Sequence, residues 1–198
     1  MLNDENIKVP ALYEDILKRS HALNFSMLSD QKSGSLLRTL VASKPNGNFL
    51  ELGTGTGLSL AWIAEGADHT SSIISIDNDD TFQSIARKLF EKDDRITFFC
   101  TDATEWLSSY KDNTFDLIFA DAWPGKYEKL DETLALVKIG GFYLIDDLLP
   151  QPNWPEGHQE KAEHLISYLE QRQDFMRTSF NWSTGLMLFT RINNISSD

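Results

Sequence analysis

The sequence has little cysteine. Cys100 is the single cysteine among 198 residues, which excludes an intrachain disulfide and a zinc site built from several thiolates. This usage is typical of a reducing compartment. The N-terminal residues also lack the basic and then apolar pattern of a signal peptide, so we expect a cytoplasmic protein. Cys100 itself is expected to be a buried small apolar residue.

Basic charge is scarce as well. The 18 Lys and Arg residues against 30 Asp and Glu residues give a net charge of −12. We therefore expect neither a nucleic acid nor an anionic membrane surface as a partner. No apolar run approaches the ~18 residues that a membrane-spanning helix needs. Hydrophobic residues still make up 41% of the chain, which is enough to bury a sizeable core.

Apolar strand patterns and helical patterns alternate along most of the chain. Helices are predicted over 10–23 and 33–43, then over 57–65, 79–91, 103–109, 127–138 and 157–171. Strands are predicted over 48–52, 72–77, 95–100, 115–120 and 141–146, and finally over 174–181 and 185–192. This alternation predicts right-handed βαβ crossovers and an α/β, doubly wound, Rossmann-like sheet of seven strands, mostly parallel with an antiparallel C-terminal strand.

One domain over residues 1–198 is the simplest organisation, since no repeat, linker or low-complexity stretch interrupts the pattern. It would comprise a helical cover over 1–44 and the Rossmann-like core over 45–192. We expect the two N-terminal helices to cover this core, with a homodimer interface as a further role.

Glycines follow the first predicted strand at alternate positions. Gly53, Gly55 and Gly57 stand between that strand and a helix, and such a turn brings backbone N–H groups and a helix N-terminus close to a ligand. Asp77 ends the next predicted strand, where an acidic residue can accept hydrogen bonds from ribose hydroxyls. The pattern predicts a cofactor that contains a nucleoside. A glycine turn that only packs a helix against a strand is the alternative.

The glycine spacing distinguishes between cofactors. A dinucleotide fingerprint requires glycines at the first, third and sixth positions, whereas the sixth position counted from Gly53 is Leu58. This disfavours a nicotinamide dehydrogenase. The pattern Glu-x-Gly-x-Gly-x-Gly, which starts at Glu51, instead resembles the first motif of class I S-adenosylmethionine-dependent methyltransferases. The predicted final hairpin resembles the same fold.

From about Met27 to Ile192 the chain resembles the catechol and caffeoyl-CoA type of small-molecule O-methyltransferase. That family has a methionine seven residues before a glycine, as Met27 stands before Gly34. The resemblance implies S-adenosylmethionine as the cofactor and a hydroxyl group of a small molecule as the acceptor. It places Ser59 on the cofactor carboxylate. The full set of implied cofactor-binding residues is Met27, Ser29, Glu51, Gly53, Thr54, Gly55, Gly57, Ser59, Asp77, Asn78, Asp102, Ala103 and Asp121.

The same resemblance implies a Mg²⁺ site. The family's ligands correspond to Asp121, Asp146 and Asp147, and carboxylate oxygens are ligands that Mg²⁺ prefers. A bound ion would lower the pKa of the acceptor hydroxyl. The chain departs from the family here, because Asp-Asp stands where the family has Asp-Asn. One cofactor contact together with solvated acidic residues is the alternative interpretation, just as Asp102 could simply cap the helix that follows it.

A second departure concerns the catalytic base. The family's lysine stands three residues after the first ligand, where this chain has Pro124. Lys126 and His158 are therefore the candidate catalytic residues beside Asp121, and a histidine with a pKa of about 6.5 suits proton acceptance. Trp123 and Trp154 are candidate walls of an apolar substrate slot, with ordinary packing as the alternative.

Two other functions stay open at this stage. The first is a methyltransferase that acts on a nitrogen or on a macromolecule, although no Asn-Pro-Pro-Tyr-type motif for base amines follows the fourth predicted strand. The second is a non-catalytic protein that binds S-adenosylmethionine, which the missing family lysine leaves open.

Overall fold

The computed structural model describes residues 6–152 and 154–193 as a seven-stranded sheet with helices on both faces. The helices are α1 (Tyr13–Ala22), α2 (Gln31–Ala42), α3 (Leu58–Gly66), α4 (Asp80–Leu89), α5 (Ala103–Ser109), α6 (Leu130–Ala135) and α7 (His158–Glu170). The strands are β1 (Asn48–Leu52), β2 (Ser72–Asp77), β3 (Ile96–Cys100), β4 (Phe115–Ala120), β5 (Val137–Ile145), β6 (Phe175–Phe180) and β7 (Leu186–Arg191).

The strand order in the sheet is β3-β2-β1-β4-β5-β7-β6. The pairs from β3 through β5 are parallel, and β7 runs antiparallel to both of its neighbours. This confirms the predicted doubly wound sheet with an antiparallel C-terminal strand. The chain winds in opposite directions from β1 and from β4, so the loops after these two strands diverge and leave a crevice at their carboxyl ends.

The central strands are apolar on both faces because helices cover both faces. Successive side chains of a strand point to opposite sides of the sheet. In β4, Leu117 and Phe119 belong to the core cluster that includes residues of α1, α2 and α3, whereas Ile118 belongs to the cluster shared with α5 and α7. All three side chains are fully buried. A sheet covered on both sides places its ligands at the strand ends rather than on its faces.

The helix α2 packs directly on α3. Gly34 in α2 leaves room for the Trp62 ring, since a Cβ atom at this glycine would lie 2.3 Å from Trp62 Nε1. The ring is fully buried, and Tyr13 of α1 meets it edge-on at 6.0 Å between centroids. The two N-terminal helices therefore share one core with the sheet. Within the described residues, no helix combines the length and the apolarity needed to cross a membrane.

The predicted helix over 127–138 is wrong for much of its length. The observed α6 is shorter, and β5 begins at Val137 instead of residue 141. Val137 pairs with Phe115 of β4, and the pairing register shifts between Phe115 and Leu117. Gly140 has a φ of +77°, which lets the backbone bend within the strand. Pairing with β4 thus overrides the helical pattern of the local sequence.

The expected burial of Cys100 is also wrong. The residue ends β3 and is exposed. The strand β3 forms one edge of the sheet, and none of its residues reaches full burial. An apolar strand pattern does not distinguish an edge strand from a central one, so the sequence could not indicate this exposure.

Candidate active site

The glycine turn after β1 lies at the crevice between β1 and β4. Gly53, Gly55 and Gly57 have φ angles of +102°, +50° and +96°, which side-chain-bearing residues rarely adopt. Gly53 also lies against the end of β4, because a Cβ atom there would be 2.5 Å from the Asp121 backbone oxygen. Gly57 is the N-cap of α3. The turn therefore needs glycine for its conformation and, at Gly53, for its close approach to the neighbouring strand.

The amide groups of these glycines are used inside the protein. Gly53 N donates to the Ile76 oxygen at 2.9 Å, and Gly57 N donates to the Thr54 oxygen at 2.9 Å. Gly55 N donates to Asp77 Oδ2 at 2.7 Å. Because the glycines have no side chains, the turn leaves room for a ligand. The N-terminus of α3 lies at the turn, and the helix dipole there favours negative charge.

Asp77 at the end of β2 holds the turn in place. In addition to the bond from Gly55, its Oδ1 accepts a hydrogen bond from Asp79 N at 2.9 Å. Each carboxylate oxygen can accept a further bond, and the side chain is half-buried at the crevice. Asp77 can therefore accept bonds from ribose hydroxyls while it fixes the turn, which is the role predicted for it. The adjacent Asn78 is exposed.

A buried polar network lies beneath the turn. Glu51 accepts hydrogen bonds from Ser59 Oγ at 2.7 Å and from Ser75 Oγ at 2.5 Å. The Thr54 hydroxyl lies 2.6 Å from Ser75 Oγ and accepts a bond from Gln83 Nε2 at 3.1 Å. The side chains of Glu51, Thr54 and Ser59 thus support the turn from below. The Ser59 hydroxyl is bonded to Glu51. The contact of Ser59 with the cofactor carboxylate, which the resemblance implies, stays a prediction.

Burial raises the pKa of Glu51 to about 7. The hydrogen bonds from Ser75 and Ser59 lower this pKa, and the negative charge of Asp77 raises it further. Since the unfolded chain releases this proton near pH 4.5, the unfolded state binds fewer protons between that pH and about 7. The free energy of unfolding should therefore fall as pH rises through this interval, by at most about 3 kcal/mol.

Glu51→Gln should remove this pH dependence. The amide keeps the shape of the side chain and does not ionise. We expect the Tm of the wild-type protein to fall relative to that of the variant between about pH 5 and about pH 8. Thermal unfolding of both proteins across that range measures the difference, and all other titrating groups cancel in it. Parallel Tm curves would contradict the assignment.

The remaining predicted cofactor residues differ in their placement. Asp102 is exposed and caps α5 by accepting a bond from Thr104 N at 2.7 Å, and Ala103 behind it is buried. Capping is thus shown, and it is compatible with the predicted contact with adenine. Met27 is 70% exposed, and Ser29 is half-buried in the same segment between α1 and α2.

Phe25 is a residue at this site that the sequence did not indicate. Its ring lies against the glycine turn, since a Cβ atom at Gly55 would be 2.9 Å from Phe25 Cζ. The ring also packs on Phe82 of α4 at 4.6 Å between centroids. The segment before α2 therefore adjoins the turn through Phe25, whereas the prediction had named Met27. An aromatic residue in a loop has no distinguishing pattern.

Opposite the turn, the residues after β4 and β5 surround a lysine. Lys126 Nζ lies 3.6 Å from Asp121 Oδ1 and 3.7 Å from Asp147 Oδ2. The same nitrogen donates to the Asp146 backbone oxygen at 2.8 Å. Lys126 is only 4% exposed. The structure thus brings together the three predicted metal ligands and two of the candidate catalytic residues, Asp121 and Lys126.

This arrangement does not fit a Mg²⁺ ion. Asp146 Oδ1 accepts bonds from Thr184 Oγ1 at 2.5 Å and from Asp147 N at 2.7 Å. Burial raises the pKa of Asp121, and Lys126 lowers it. Among residues 6–152 and 154–193, no three His, Cys, Asp or Glu side chains are grouped so that they could hold a metal ion. The predicted ligand set is not formed, because the Lys126 ammonium pairs with the Asp121 and Asp147 carboxylates and Thr184 engages the carboxylate of Asp146.

An aromatic group lies beside these charges. It consists of His158, which begins α7, and the rings of Trp154, Tyr127 and Trp123 at 4.4, 5.3 and 5.5 Å from it. The Tyr127 hydroxyl lies 3.4 Å from His158 Nε2, whereas His158 Nδ1 is buried without a partner among the described residues. Burial and the charge of Asp147 raise the pKa of Tyr127. Sequence reasoning named all members of the group except Tyr127.

The chain is similar to known O-methyltransferases. A family model described as O-methyltransferase matches residues 5–178. A provisionally named caffeoyl-CoA O-methyltransferase of Arabidopsis thaliana is 28% identical over 162 residues, which are 77% of this chain and 70% of that protein. The tapetum-specific methyltransferase 1 of the same plant is 28% identical over 148 residues, 71% of this chain and 62% of its own length.

The fold also matches solved structures. The crystal structure of an O-methyltransferase from Bacillus cereus in complex with SAH has a TM-score of 0.80 and 20% identity. The match covers 95% of this chain and 94% of the Bacillus chain. At 20% identity this similarity supports only the fold. Membership of the family is supported by the family model.

Proposed function

Because this chain belongs to the O-methyltransferase family, we propose that it transfers the methyl group of S-adenosylmethionine to a hydroxyl group of a small molecule. The family match confirms the predicted enzyme class. One observation supports the proposal most. The glycine turn, held by Asp77, lies at the crevice between β1 and β4. The group of Lys126, His158 and aromatic rings follows strands that end at the same crevice.

The chemistry of the proposed reaction sets the requirements on the site. In the transfer, a bond forms between the acceptor oxygen and the methyl carbon, the sulfur–carbon bond breaks, S-adenosylhomocysteine leaves, and the hydroxyl proton passes to a base. The protein must hold the acceptor oxygen in line at about 3 Å from the methyl carbon. The aromatic group can hold an apolar acceptor in that position, and Asp77 can anchor the ribose.

We propose that His158 is the base that accepts the proton of the acceptor hydroxyl. Among the residues that the structure describes, its Nδ1 has no partner, and its Nε2 lies near the Tyr127 hydroxyl, so a neutral ring has a nitrogen available to accept a proton. His158→Gln should lower kcat by about tenfold or more and leave the affinity for S-adenosylhomocysteine unchanged. Gln159→Ala, the next and exposed position of α7, is the control. Unchanged turnover in His158→Gln would remove histidine as the base.

The cofactor assignment can be tested by thermal shift. S-adenosylmethionine or S-adenosylhomocysteine at about 100 times its Kd should stabilise the protein by roughly 2.7 kcal/mol, which for a chain of this size raises the Tm by several degrees. NAD should cause no shift. A shift with NAD alone would contradict the proposal.

The acceptor can be tested by methyl transfer from labelled S-adenosylmethionine. We expect products from hydroxylated aromatic compounds and none from matched amines. Turnover of the amines alone would indicate an N-methyltransferase, and cofactor binding without any turnover would favour a non-catalytic binding protein. Metal assistance is left out of this proposal because Lys126 lies among the expected ligands. The cytoplasmic location and the homodimer stay predictions.

A further inference from the structure

We propose that the ammonium group of Lys126 takes the place of a divalent cation among Asp121, Asp146 and Asp147, so that the enzyme works without a bound metal ion. The inference deepens the proposed function and rests on it, because it concerns the same acceptor site. It makes Lys126 a positioning residue that holds the carboxylates and supplies positive charge at this site.

The contacts of Lys126 support this assignment. A single nitrogen reaches all three acidic residues, two through their carboxylates and Asp146 through its backbone oxygen. An ammonium has three N–H donors, and three oxygens surround this one within 3.7 Å. The contact with the Asp146 backbone oxygen is a hydrogen bond at 2.8 Å, and the contacts with Asp121 and Asp147 at 3.6 and 3.7 Å are ion pairs. The positive charge is thus shared between residues that follow β4 and residues that follow β5.

The turn that carries Lys126 is built into the fold. Lys126 N donates to the Trp123 oxygen at 3.1 Å, and Gly125 N donates to the Glu128 oxygen at 2.7 Å. Tyr143, fully buried in β5, donates its hydroxyl to the Gly125 oxygen at 2.6 Å. Gly125 has a φ of +88°, and a Cβ atom there would lie 2.4 Å from Leu52 Cδ1. Contacts of the turn fix the backbone of Lys126, and the contacts with the acidic residues fix its ammonium group.

Charge and burial make the lysine and the carboxylates depend on each other. An unpaired ammonium at 4% exposure would be destabilised by several kcal/mol, roughly the penalty for a buried ion. A Mg²⁺ ion needs oxygen ligands at about 2.0–2.1 Å in an octahedral shell. It could reach Asp121 and Asp147 only by displacing the ammonium, since two cations this close repel each other. The Asp146 carboxylate is moreover engaged by Thr184.

The test uses Mn²⁺ as the probe, with binding measured by electron paramagnetic resonance. Three full-length proteins are compared: wild type, Lys126→Ala, and Lys129→Ala as the matched control. Lys129 pairs with Glu132 at the surface, and 32% of its side chain is exposed. We expect wild type and the control to share the same weak Mn²⁺ binding. Lys126→Ala should bind Mn²⁺ at least about tenfold more tightly, because it frees carboxylates for a hard cation.

A further substitution, Asp147→Asn, makes the result specific to this site. Added to Lys126→Ala it should abolish the gain in Mn²⁺ affinity, and in the wild-type background it should leave the Mn²⁺ affinity unchanged. A folded Lys126→Ala protein without any gain would overturn the proposal. Mn²⁺ binding by wild type that Asp147→Asn weakens would also overturn it, and this comparison stands even where Lys126→Ala does not fold.

The S-adenosylhomocysteine thermal shift on the same samples separates the two proposals. A wild-type protein without that shift would remove the proposed function, whereas the Mn²⁺ measurements decide the role of Lys126 independently. Where turnover is detected, an excess of EDTA should leave the rate of wild type unchanged.

Discussion

Gly53→Ala is expected to abolish cofactor binding. The added Cβ atom would lie 2.5 Å from the Asp121 backbone oxygen, at a residue whose φ is +102°. Left-handed strain and overpacking together should destabilise the protein by about 3 kcal/mol. The clash spans the crevice between β1 and β4, so its relief must move either the glycine turn or Asp121. We expect the affinity for S-adenosylhomocysteine to fall by at least about 100-fold, as measured by isothermal titration calorimetry.

Gly140→Ala is the matched control for this substitution. Gly140 also has a left-handed backbone, with a φ of +77°, but a Cβ atom there meets nothing within 4 Å. This variant should lose about 1 kcal/mol of stability and bind S-adenosylhomocysteine as wild type does. If both variants kept wild-type affinity, the crevice would not be the cofactor site.

Asp77→Ala should weaken cofactor binding by about 100-fold, or about 3 kcal/mol. The carboxylate accepts bonds from Gly55 N and Asp79 N, and bonds to a charged group contribute roughly 1.5–3 kcal/mol each. Its removal would release the glycine turn and also take away the acceptor for the ribose hydroxyls. Calorimetry with S-adenosylhomocysteine measures the affinity, and thermal unfolding measures the accompanying loss of stability.

A neighbouring carboxylate provides the comparison. Asp79 caps α4 by accepting bonds from Thr81 N and Phe82 N, so Asp79→Ala should lower stability by about 1 kcal/mol. Its affinity for the cofactor should not change. An Asp77→Ala protein that binds S-adenosylhomocysteine as well as Asp79→Ala does would show that Asp77 supports the fold and contributes nothing to the cofactor.

The glycine turn could be predicted because short-range patterns encode it. A strand, a glycine turn and a helix are contiguous in sequence. The positive φ angles at positions 53, 55 and 57 require glycine, and the spacing of Gly53, Gly55 and Gly57 indicates such a turn. The glycine pattern did not predict the directions of the side chains around the turn. Ser59 donates to Glu51, and its contact with the cofactor carboxylate stays a prediction.

The acceptor half was harder to predict, because it combines residues far apart in sequence. The helix α6 and the start of β5 were misplaced, since pairing with β4 decided where the strand begins. His158 meets Trp123 and Tyr127 only because α7 returns over the end of β4. Neither periodicity nor spacing contains such contacts.

The sequence by itself determined the α/β class and the mostly parallel sheet with an antiparallel C-terminal strand, because both follow from the alternation of strand and helix patterns. The glycine spacing favours S-adenosylmethionine as the cofactor, which is part of the proposed function. Only the tertiary structure decided what lies among the acidic residues. Gly125 must pack on Leu52 and bond to Tyr143 before Lys126 reaches Asp121 and Asp147. The position of the Lys126 ammonium depends on its burial and on contacts with residues of β1 and β5 and with the residue after β4. No local sequence pattern specifies such contacts.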